Sequence, residues 1–182
     1  MSKPAPAPVV RPAELDDFGA IHDIYRHHVL HGLASFEEQP PERAELERRH
    51  AEVRARGLPY LVAQRGERVV GYAYASPFRT RTAYRFTVED SIYLAPDAVG
   101  QGIGRRLLTE VIEQSTALGL RQMIAVIGDS GNAASIALHR ALGFDGVLVL
   151  HSVGFKLGRW VDSVLMQRPL GSGATAPPPP GT

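Results

Sequence analysis

Three glycines at alternate positions, Gly100, Gly102 and Gly104, stand between a strand pattern and a helix pattern. The strand pattern covers residues 88–94, which are rich in β-branched and aromatic side chains, and Pro96 ends it because proline has no N–H for a sheet. The helix pattern begins near Ile103. A glycine loop that leads into a helix exposes backbone N–H groups at the positive end of the helix dipole. This arrangement predicts a binding site for phosphate oxygens.

Two well-known phosphate loops do not fit these residues. A P-loop requires a Lys-Ser/Thr pair after its last glycine, whereas Arg105 and Arg106 follow here. A dinucleotide-binding fingerprint requires G-x-G-x-x-G, and Gly100 to Arg105 reads G-Q-G-I-G-R. From the loop alone, an ordinary glycine turn between a strand and a helix stays open as the alternative.

The hydrophobic periodicity along the chain predicts the order β-α-α-β-β-β-α-β-α-β-β. This is a mixed α/β layout, with antiparallel strands in the first half and two β-α-β crossings in the second. The predicted helices cover residues 13–30, 42–56, a stretch that begins near residue 103, and residues 132–142. The predicted strands cover residues 9–11, 60–64, 69–76, 88–94, 122–127, 144–153 and 161–168, with loops at 77–86 and 154–160. The stripes predicted to face the core are Leu15, Phe18, Ile21, Tyr25 and Val29 in the first helix, and Ile103, Leu107, Leu108, Val111, Ile112, Ser115 and Leu118 in the third.

The composition is that of a globular protein with one core. The 182 residues are 44% hydrophobic and 21% charged, with a net charge of +1, so the charge favours neither nucleic acid nor an anionic membrane as partner. The absence of cysteine excludes disulfides, thiolate metal sites and cysteine nucleophiles. No apolar run reaches the length of a membrane span, so we expect a cytoplasmic protein.

The two ends of the chain differ from its middle in composition. Residues 1–8 alternate proline and alanine and are predicted to form a flexible leader, and residues 171–182 contain mainly Gly, Ser, Ala and Pro and are predicted to be disordered. A proline-rich tail can also bind SH3-like partners. One folded domain is therefore predicted over residues 9–170.

The glycine loop, Val99-Gly100-Gln101-Gly102-Ile103-Gly104, resembles the pyrophosphate loop of the GNAT acetyltransferases, whose pattern is Gln/Arg-x-x-Gly-x-Gly/Ala after a strand. Val99 departs from this pattern, which affects one side-chain contact and not the backbone groups. Together with TVEDSIYL, AVIGDSGNAAS and HSVGFKLGRWVD, the loop resembles the phosphinothricin N-acetyltransferase branch, which includes L-amino acid N-acyltransferases. The resemblance covers about residues 9–170.

This resemblance implies the GNAT fold, in which helices flank a central, mostly antiparallel sheet, and acetyl-CoA as co-substrate. In this family the glycine loop holds the pyrophosphate, the strand after the base forms β-like hydrogen bonds with the pantetheine amides, and an Asn and a helix flank the pantetheine arm. The positions carried over are Ile92, Tyr93, Leu94, Val99, Gly100, Gln101, Gly102, Ile103, Gly104, Arg105, Asn132 and Ser135.

Acetyl transfer to an amine requires a neutral nitrogen, yet the α-amino group of an amino acid is largely protonated at pH 7. The resemblance implies that Glu89 is the general base that accepts this proton. The residues alone leave a solvated or salt-bridged strand glutamate as the alternative. Asp90 competes for the role. Because side chains alternate along a strand, only one of the two is expected to point into the site.

The substrate implied by the resemblance is a small amino acid or analogue of the phosphinothricin, methionine sulfoximine or methionine sulfone type. Arginine suits its carboxylate and aromatic rings suit its side chain. The residues expected to bind it are Phe36, Arg79, Arg81, Thr82, Tyr84 and Glu89, although solvated loop charge is the alternative for each arginine. His139 stands at the position of a family histidine that is sometimes assigned a catalytic part, and we expect it to pack near the site.

Other functions stay open at this point. A GNAT enzyme could act on a protein or a polyamine, although the basic loop at residues 77–86 disfavours a polyamine. A non-catalytic acyl-CoA-binding module is a further alternative. His27 and His31 have the i,i+4 spacing of a metal pair, but no third ligand is evident, so no metal is expected. The family is commonly dimeric, and residues 154–160 are a candidate piece of a homodimer interface.

Overall fold

The computed structural model describes residues 7–178, so the first six residues of the predicted leader and the last four of the predicted tail lie outside the described residues. The described chain forms a seven-stranded sheet with the order β1-β2-β3-β4-β5-β7-β6. The strands are β1 (Val9–Pro12), β2 (Tyr60–Arg65), β3 (Arg68–Pro77), β4 (Thr87–Leu94), β5 (Gln122–Gly128), β6 (Asp145–Lys156) and β7 (Arg159–Pro169). The helices are α1 (Phe18–His31), α2 (Arg43–Ala55), α3 (Ile103–Ala117) and α4 (Ala133–Ala141). The predicted element order and mixed α/β class are confirmed.

The pairing of β4 with β5 is the parallel one, and the other neighbouring strands are antiparallel. The parallel pairing covers only residues 87–90 of β4 and 122–125 of β5. Beyond Asp90, β4 pairs with β3 alone within the described sheet. The second half of β4 therefore has one open edge, and this edge borders the candidate site.

Helices cover both faces of the sheet beside β4. On one face, Tyr93 of β4 contacts Tyr25 of α1, with ring centroids 5.0 Å apart. On the other face, Ile92 and Leu94 approach Gly104 at the start of α3. The alternation of side chains along a strand places these contacts on opposite faces, so the sheet and the two helices enclose β4.

The predicted core stripes are confirmed, with two exceptions at helix ends. Phe18, Ile21, Tyr25 and Val29 of the first stripe and residues 103, 107, 108, 111, 112 and 115 of the second are buried. Leu15 is exposed because it lies in a 3-10 turn before α1, and Leu118 is exposed because it follows the last residue of α3. The predicted stripes were therefore wrong at these two residues.

The predicted loop at residues 154–160 was wrong as well. β6 and β7 run on through it, and only Leu157 and Gly158 separate them. Both residues have positive φ, 51° and 76°, which is typical of a two-residue type I′ hairpin. The Leu-Gly pair lacks the Asn-Gly or Asp-Gly signal of such turns, so the sequence pattern predicted a longer loop.

Residues 171–176 form turns with backbone hydrogen bonds from Gly173 to Leu170 and from Thr175 to Ser172. The disorder expected of the tail stays a prediction. No helix in the described part of the chain is long and apolar enough to cross a bilayer.

Candidate active site

A cavity of about 550 Å³ lies beside the open edge of β4. One wall is formed by residues 89–93 of β4, and the end of β5, the start of α4 and the connection between α1 and α2 complete it. The predicted site residues that line it are Phe36, Glu89, Ile92, Tyr93, Asn132 and Ser135. Its other lining residues are Tyr25, Ala34, Ser35, Glu37, Asp90, Ser91, Val126, Ile127, Gly128, His139 and Ser163. The structure thus brings together segments that are far apart in sequence.

Glu89 lies in the wall of the cavity with its carboxyl group partly buried. In the sheet it stands between Ser76 of β3 and Ile124 of β5. Burial, and then the negative charge of Asp90, raise the pKa of Glu89 to about 7. A carboxyl group with a pKa near neutrality is suited to accept and release a proton at physiological pH.

Asp90 is buried and forms an ion pair with His139, whose Nε2 lies 3.0 Å from Asp90 Oδ2. The other ring nitrogen, Nδ1, lies 2.8 Å from the carbonyl oxygen of Ser135. A carboxylate and a carbonyl both accept hydrogen bonds, so these two contacts favour the imidazolium form, in which both ring nitrogens donate. Burial lowers the pKa of His139, but the Asp90 carboxylate outweighs this effect and the pKa is raised overall.

The expectation that only one of the two acids points into the site stays a prediction. Glu89 and Asp90 both line the cavity, although they stand on opposite faces of β4. The cavity lies where the pairing of β4 with β5 ends, directly after Asp90, and both residues border it there. Asp90 Oδ1 is buried and has no hydrogen-bond partner among the described atoms.

The open edge of β4 leads from the cavity towards the glycine loop. Ile92 and Tyr93 line the cavity, and Leu94 lies one residue further along. The carbonyl oxygen of Leu94 accepts a hydrogen bond from His28 Nε2 at 2.8 Å, so this oxygen is already engaged. Burial lowers the pKa of His28, which keeps its ring neutral.

The glycine loop has the backbone geometry that the sequence predicts. Gly100 and Gly102 have φ of 77° and 76°, a region that other residues rarely adopt, and a Cβ at either would meet no heavy atom within 4 Å. Gly102 is the N-cap of α3, and no side chain caps the helix there. The helix start therefore has no side-chain cap and has open space beside Gly100 and Gly102, which fits an anion of a ligand.

The other residues predicted around this loop have differing surroundings. Val99 and Arg105 are exposed, and Gln101 donates from Nε2 to the carbonyl oxygen of Asp97. Ile103 is buried, and Gly104 packs so closely that a Cβ there would lie 3.3 Å from Leu138. The loop does not line the cavity itself.

Asn132 and Ser135 lie at the start of α4, next to the cavity. Asn132 is the N-cap of α4, and its Oδ1 accepts a hydrogen bond from the backbone N–H of Ser135 at 3.2 Å. This contact fixes the helix start and with it His139, about two turns later. Their roles towards the pantetheine arm stay predictions.

Four predicted substrate residues lie outside the cavity, on the exposed loop between β3 and β4. They are Arg79, Arg81, Thr82 and Tyr84. The guanidinium group of Arg79 lies 5.1 Å from the ring centroid of Phe78 and 6.0 Å from that of Tyr84. The loop leads into β4 two residues before Glu89. These residues therefore lie at the same end of β4 as Glu89, and their role stays a prediction.

His27 and His31, the i,i+4 pair of α1, lie close together in the structure. The rings of His27 and His31 lie 5.1 Å apart. Within residues 7–178, however, no group of three or more His, Asp or Glu side chains is placed to hold a metal ion.

Sequence reasoning missed Tyr25, Ser35, Gly128 and Ser163 as cavity residues. Tyr25 had the signal of a core residue, because it lies on the apolar stripe of α1. The others lie on segments whose approach to the cavity depends on long-range packing, so no local signal identified them.

Comparisons with known proteins agree with this geometry. The sequence matches the Acetyltransferase (GNAT) family over residues 20–144, which is more than half of the chain. A phosphinothricin N-acetyltransferase from Alcaligenes faecalis is 57% identical over 169 residues, which cover 93% of this chain and 86% of that protein. An L-methionine sulfoximine/L-methionine sulfone acetyltransferase from Salmonella typhimurium is 39% identical over 161 residues, which cover 87% of this chain and 92% of that protein.

A solved structure gives the same result for the fold. The crystal structure of a GNAT superfamily phosphinothricin acetyltransferase from Sinorhizobium meliloti, in complex with AcCoA, has a TM-score of 0.93 and 51% sequence identity to this chain. The match covers 97% of this chain and 96% of that one. The similarity extends over nearly all of the chain in both sequence and structure.

Proposed function

This chain belongs to the acetyltransferase (GNAT) family, and we propose that it transfers an acetyl group from acetyl-CoA to the amino group of a small amino acid or analogue. Phosphinothricin, methionine sulfoximine and methionine sulfone are the substrate types to which the names of its relatives point. The observation that carries the proposal is the position of Glu89, a carboxyl group with a pKa near 7 in the wall of the cavity.

In this proposal Glu89 takes a proton from the substrate ammonium, directly or through water. The neutral nitrogen would then attack the thioester carbonyl carbon, the C–S bond would break, and the CoA thiolate would leave and take up the proton that the nitrogen releases. Transfer is thus direct, without an acyl-enzyme intermediate. The chain has no cysteine that could carry the acetyl group. Because burial raises the pKa of Glu89 to about 7, this group accepts a proton more readily than an ordinary carboxylate does.

The residues present fit acetyl-CoA as co-substrate, which supplies an activated acetyl thioester when bound. Gly100 and Gly102 leave open space before the N-terminus of α3, where the N–H groups suit a pyrophosphate. The open edge of β4 offers the backbone groups of Ile92 and Tyr93 to the amides of the pantetheine arm. A backbone N–H at this edge would also stabilise the oxyanion of the transition state.

The substrate's carboxylate needs a cation, and the loop between β3 and β4 supplies Arg79 and Arg81. The stacking of Arg79 over Phe78 and Tyr84 restrains its guanidinium group near the end of β4 that carries Glu89. Phe36 lines the cavity from the other side and would contact the substrate's side chain.

We further propose a homodimer that forms through the β6–β7 hairpin. β6 is an edge strand of the sheet, and the hairpin exposes an apolar surface. This surface consists of Val147, Leu148, Leu150, Val153, Phe155, Leu157 and Trp160. Sedimentation of the wild type and of Trp160→Lys would test it, because only the wild type should dimerise if the surface is the interface.

The remaining features of the proposal concern the chain as a whole. We propose a single acetyltransferase domain over residues 9–170, flanked by a leader and a tail, and a location in the cytoplasm. Nucleic acid and membranes are not proposed partners, in keeping with the net charge of +1.

Release of free thiol from acetyl-CoA over a panel of amines tests the proposed activity. We expect turnover with phosphinothricin or a methionine sulfoximine or sulfone, and less with amines that lack a carboxylate. Turnover confined to polyamines or a protein amine would assign a different substrate class. Binding of acetyl-CoA without thiol release from any amine would indicate a non-catalytic module and contradict the proposal.

A further inference from the structure

Lys156, the last residue of β6, is almost completely buried, with 3% of its surface exposed. Its Nζ donates a hydrogen bond of 2.6 Å to the backbone carbonyl oxygen of Ser35. The two residues are 121 positions apart in sequence. This contact joins the β6–β7 hairpin to the connection between α1 and α2.

Residues 33–37 of that connection, which we call the strap, form one side of the cavity. Four of these five residues line it, from Ala34 to Glu37. The strap has no regular secondary structure, so no helix or sheet pairing fixes its position. Its position depends on contacts with the elements around it.

Two glycines make room for the strap. A Cβ at Gly128 would lie 1.9 Å from the carbonyl oxygen of Leu33, and a Cβ at Gly154 would lie 2.6 Å from the ring of Phe36. The strap therefore packs directly on the end of β5 and on β6. Gly154 is two residues before Lys156, so one strand holds both the ring of Phe36 and the carbonyl of Ser35.

Hydrogen bonds hold the strap on its other sides. The hydroxyl groups of Tyr25 and Ser35 are 2.9 Å apart, and Ser35 Oγ accepts a bond from the backbone N–H of Glu37. The carboxylate of Glu37 pairs with Arg49 of α2 at 2.8 Å. Lys156 supplies the contact from the hairpin.

A hydrogen bond from a buried ammonium group to a carbonyl carries a cost in free energy, because the charged group loses its hydration. Burial lowers the pKa of Lys156, against the weaker opposite effects of Glu38 and Glu37, which means that the charged form is destabilised at this position. A methionine of similar length would avoid this cost. The position of the strap, which Lys156 holds through the carbonyl of Ser35, therefore explains the ammonium group better than a gain in overall stability does.

We propose that Lys156 is a positioning residue, which fixes the strap so that Phe36 and its neighbours form the substrate side of the cavity. This rests on the proposed function, since the strap is taken as the wall that contacts the amino-acid substrate. Acetyl-CoA binds elsewhere in that proposal, along β4 and the loop before α3. Loss of the Lys156 contact should therefore affect the amino acid and not acetyl-CoA.

The test compares Lys156→Met with Arg159→Met, a matched loss of a cation on the same hairpin. Arg159 is exposed, pairs with Asp129 on the surface and has no contact with the strap among its described bonds. For Lys156→Met, loss of a charge-assisted bond predicts a rise of about tenfold or more in KM for the amino acid, with a smaller change in kcat. The Kd of acetyl-CoA should stay within about twofold of the wild type, because no charge-assisted bond to it is lost.

Hydrogen exchange of the peptide that covers residues 32–41 gives a readout that needs no activity. We expect faster exchange there in Lys156→Met, unchanged exchange in Arg159→Met, and melting temperatures within about 4 °C of the wild type for both. If Lys156→Met does not fold, Gly154→Ala is the second variant, because its Cβ displaces Phe36 while φ suits alanine. It should raise KM for the amino acid in the same way.

Two results would overturn this proposal. One is an unchanged KM together with unchanged exchange of the strap peptide in Lys156→Met. The other is an equal rise in KM for the amino acid and in Kd for acetyl-CoA, which would indicate a general structural role. If the wild type acetylated no amino acid, the proposed function would fail, while the exchange measurement would still report whether Lys156 holds the strap.

Discussion

Replacement of Gly102 by Asp tests whether the loop before α3 binds the pyrophosphate of acetyl-CoA. Gly102 has φ of 76°, and a Cβ there would meet no heavy atom within 4 Å apart from its neighbours in the chain. The new side chain therefore has room in the folded protein. The cost to folding is the left-handed conformation, about 1–2 kcal/mol, and Asp tolerates this region better than most residues.

The expected loss of affinity follows from charge. The Asp carboxylate would stand at the N-terminus of α3, where the proposed pyrophosphate is bound. At about 5 Å and an effective dielectric constant of about 20, two unit charges repel by about 3 kcal/mol. Screening by salt reduces this value, whereas competition for the same N–H groups adds to it. We expect the Kd of acetyl-CoA to rise about 30- to 300-fold, or about 2 to 3.5 kcal/mol.

Gly57→Asp is the matched control for this measurement. Gly57 has φ of 71°, and a Cβ there would also meet nothing within 4 Å, but the residue lies after α2 and away from the loop. Both variants should therefore lose similar thermal stability, and only Gly102→Asp should lose affinity in calorimetry with acetyl-CoA. Wild-type affinity in a folded Gly102→Asp, or an equal loss in Gly57→Asp, would refute the assignment of the loop.

Three further predictions concern single residues. At least one of Arg79→Ala and Arg81→Ala should raise KM for carboxylate substrates by about 10- to 150-fold, the worth of a charge-assisted bond, and should affect amines without a carboxylate less. Equal losses on the two substrate types would remove these arginines from carboxylate binding. Val99→Arg should lower the Kd of acetyl-CoA about two- to fivefold by adding a cation beside the loop, and unchanged or weaker binding in calorimetry would contradict this. Asp90→Asn should lower the pKa of His139 in an NMR titration, because the carboxylate is what raises it above the ordinary value of 6.5. The Asp90–His139 pair stabilises the fold below pH 6.5 and loses this effect as the pH rises through the folded pKa of His139. The loss of unfolding free energy in Asp90→Asn should therefore be larger in acid than at pH 9. An equal loss at both pH values would count against the charged pair.

The element order could be predicted from the sequence because each element carries a local signal. The strand before Pro96 and the apolar stripe from Ile103 to Ser115 identify β4 and α3, and the glycines between them mark the loop. Positive φ at Gly100 and Gly102 follows from the same residues. The part of the site that binds a phosphate group is therefore readable from one continuous stretch.

The β6–β7 hairpin shows where local signals are insufficient. Its turn is Leu157-Gly158, and a leucine with positive φ is not a common turn residue. The pairing of twelve- and eleven-residue strands on either side stabilises this turn. Such a turn is a consequence of the strand pairing, so its two central residues carry no local signal that predicts a turn.

The rest of the cavity depends on contacts between residues far apart in sequence. Lys156 and Ser35 are 121 positions apart, and His139 and Asp90 are 49 apart. A lysine near the end of a strand is expected to be exposed to solvent, and an aspartate next to a glutamate in a strand is expected to point to the opposite face of the sheet. Only the packed sheet shows that the first is buried behind the strap and that the second pairs with a buried histidine.

The pH dependence of kcat/KM for the wild type and for Glu89→Gln tests the central claim, that Glu89 is the base in transfer from acetyl-CoA to an amino acid. Glutamine keeps the shape of the side chain and cannot take up a proton at neutral pH. At pH 7 the variant should lose about 10²- to 10⁴-fold in kcat/KM, with an unchanged Kd for acetyl-CoA.

In the wild type, kcat/KM should fall as the pH drops through about 7, because the raised pKa leaves Glu89 protonated and unable to accept a proton below it. The deficit of the variant should shrink at high pH, where more of the substrate amine is already neutral. A deficit that does not change with pH would assign Glu89 to positioning of the substrate ammonium. Full activity in Glu89→Gln, with loss of activity in Asp90→Asn, would contradict the account and place the base one residue further along β4.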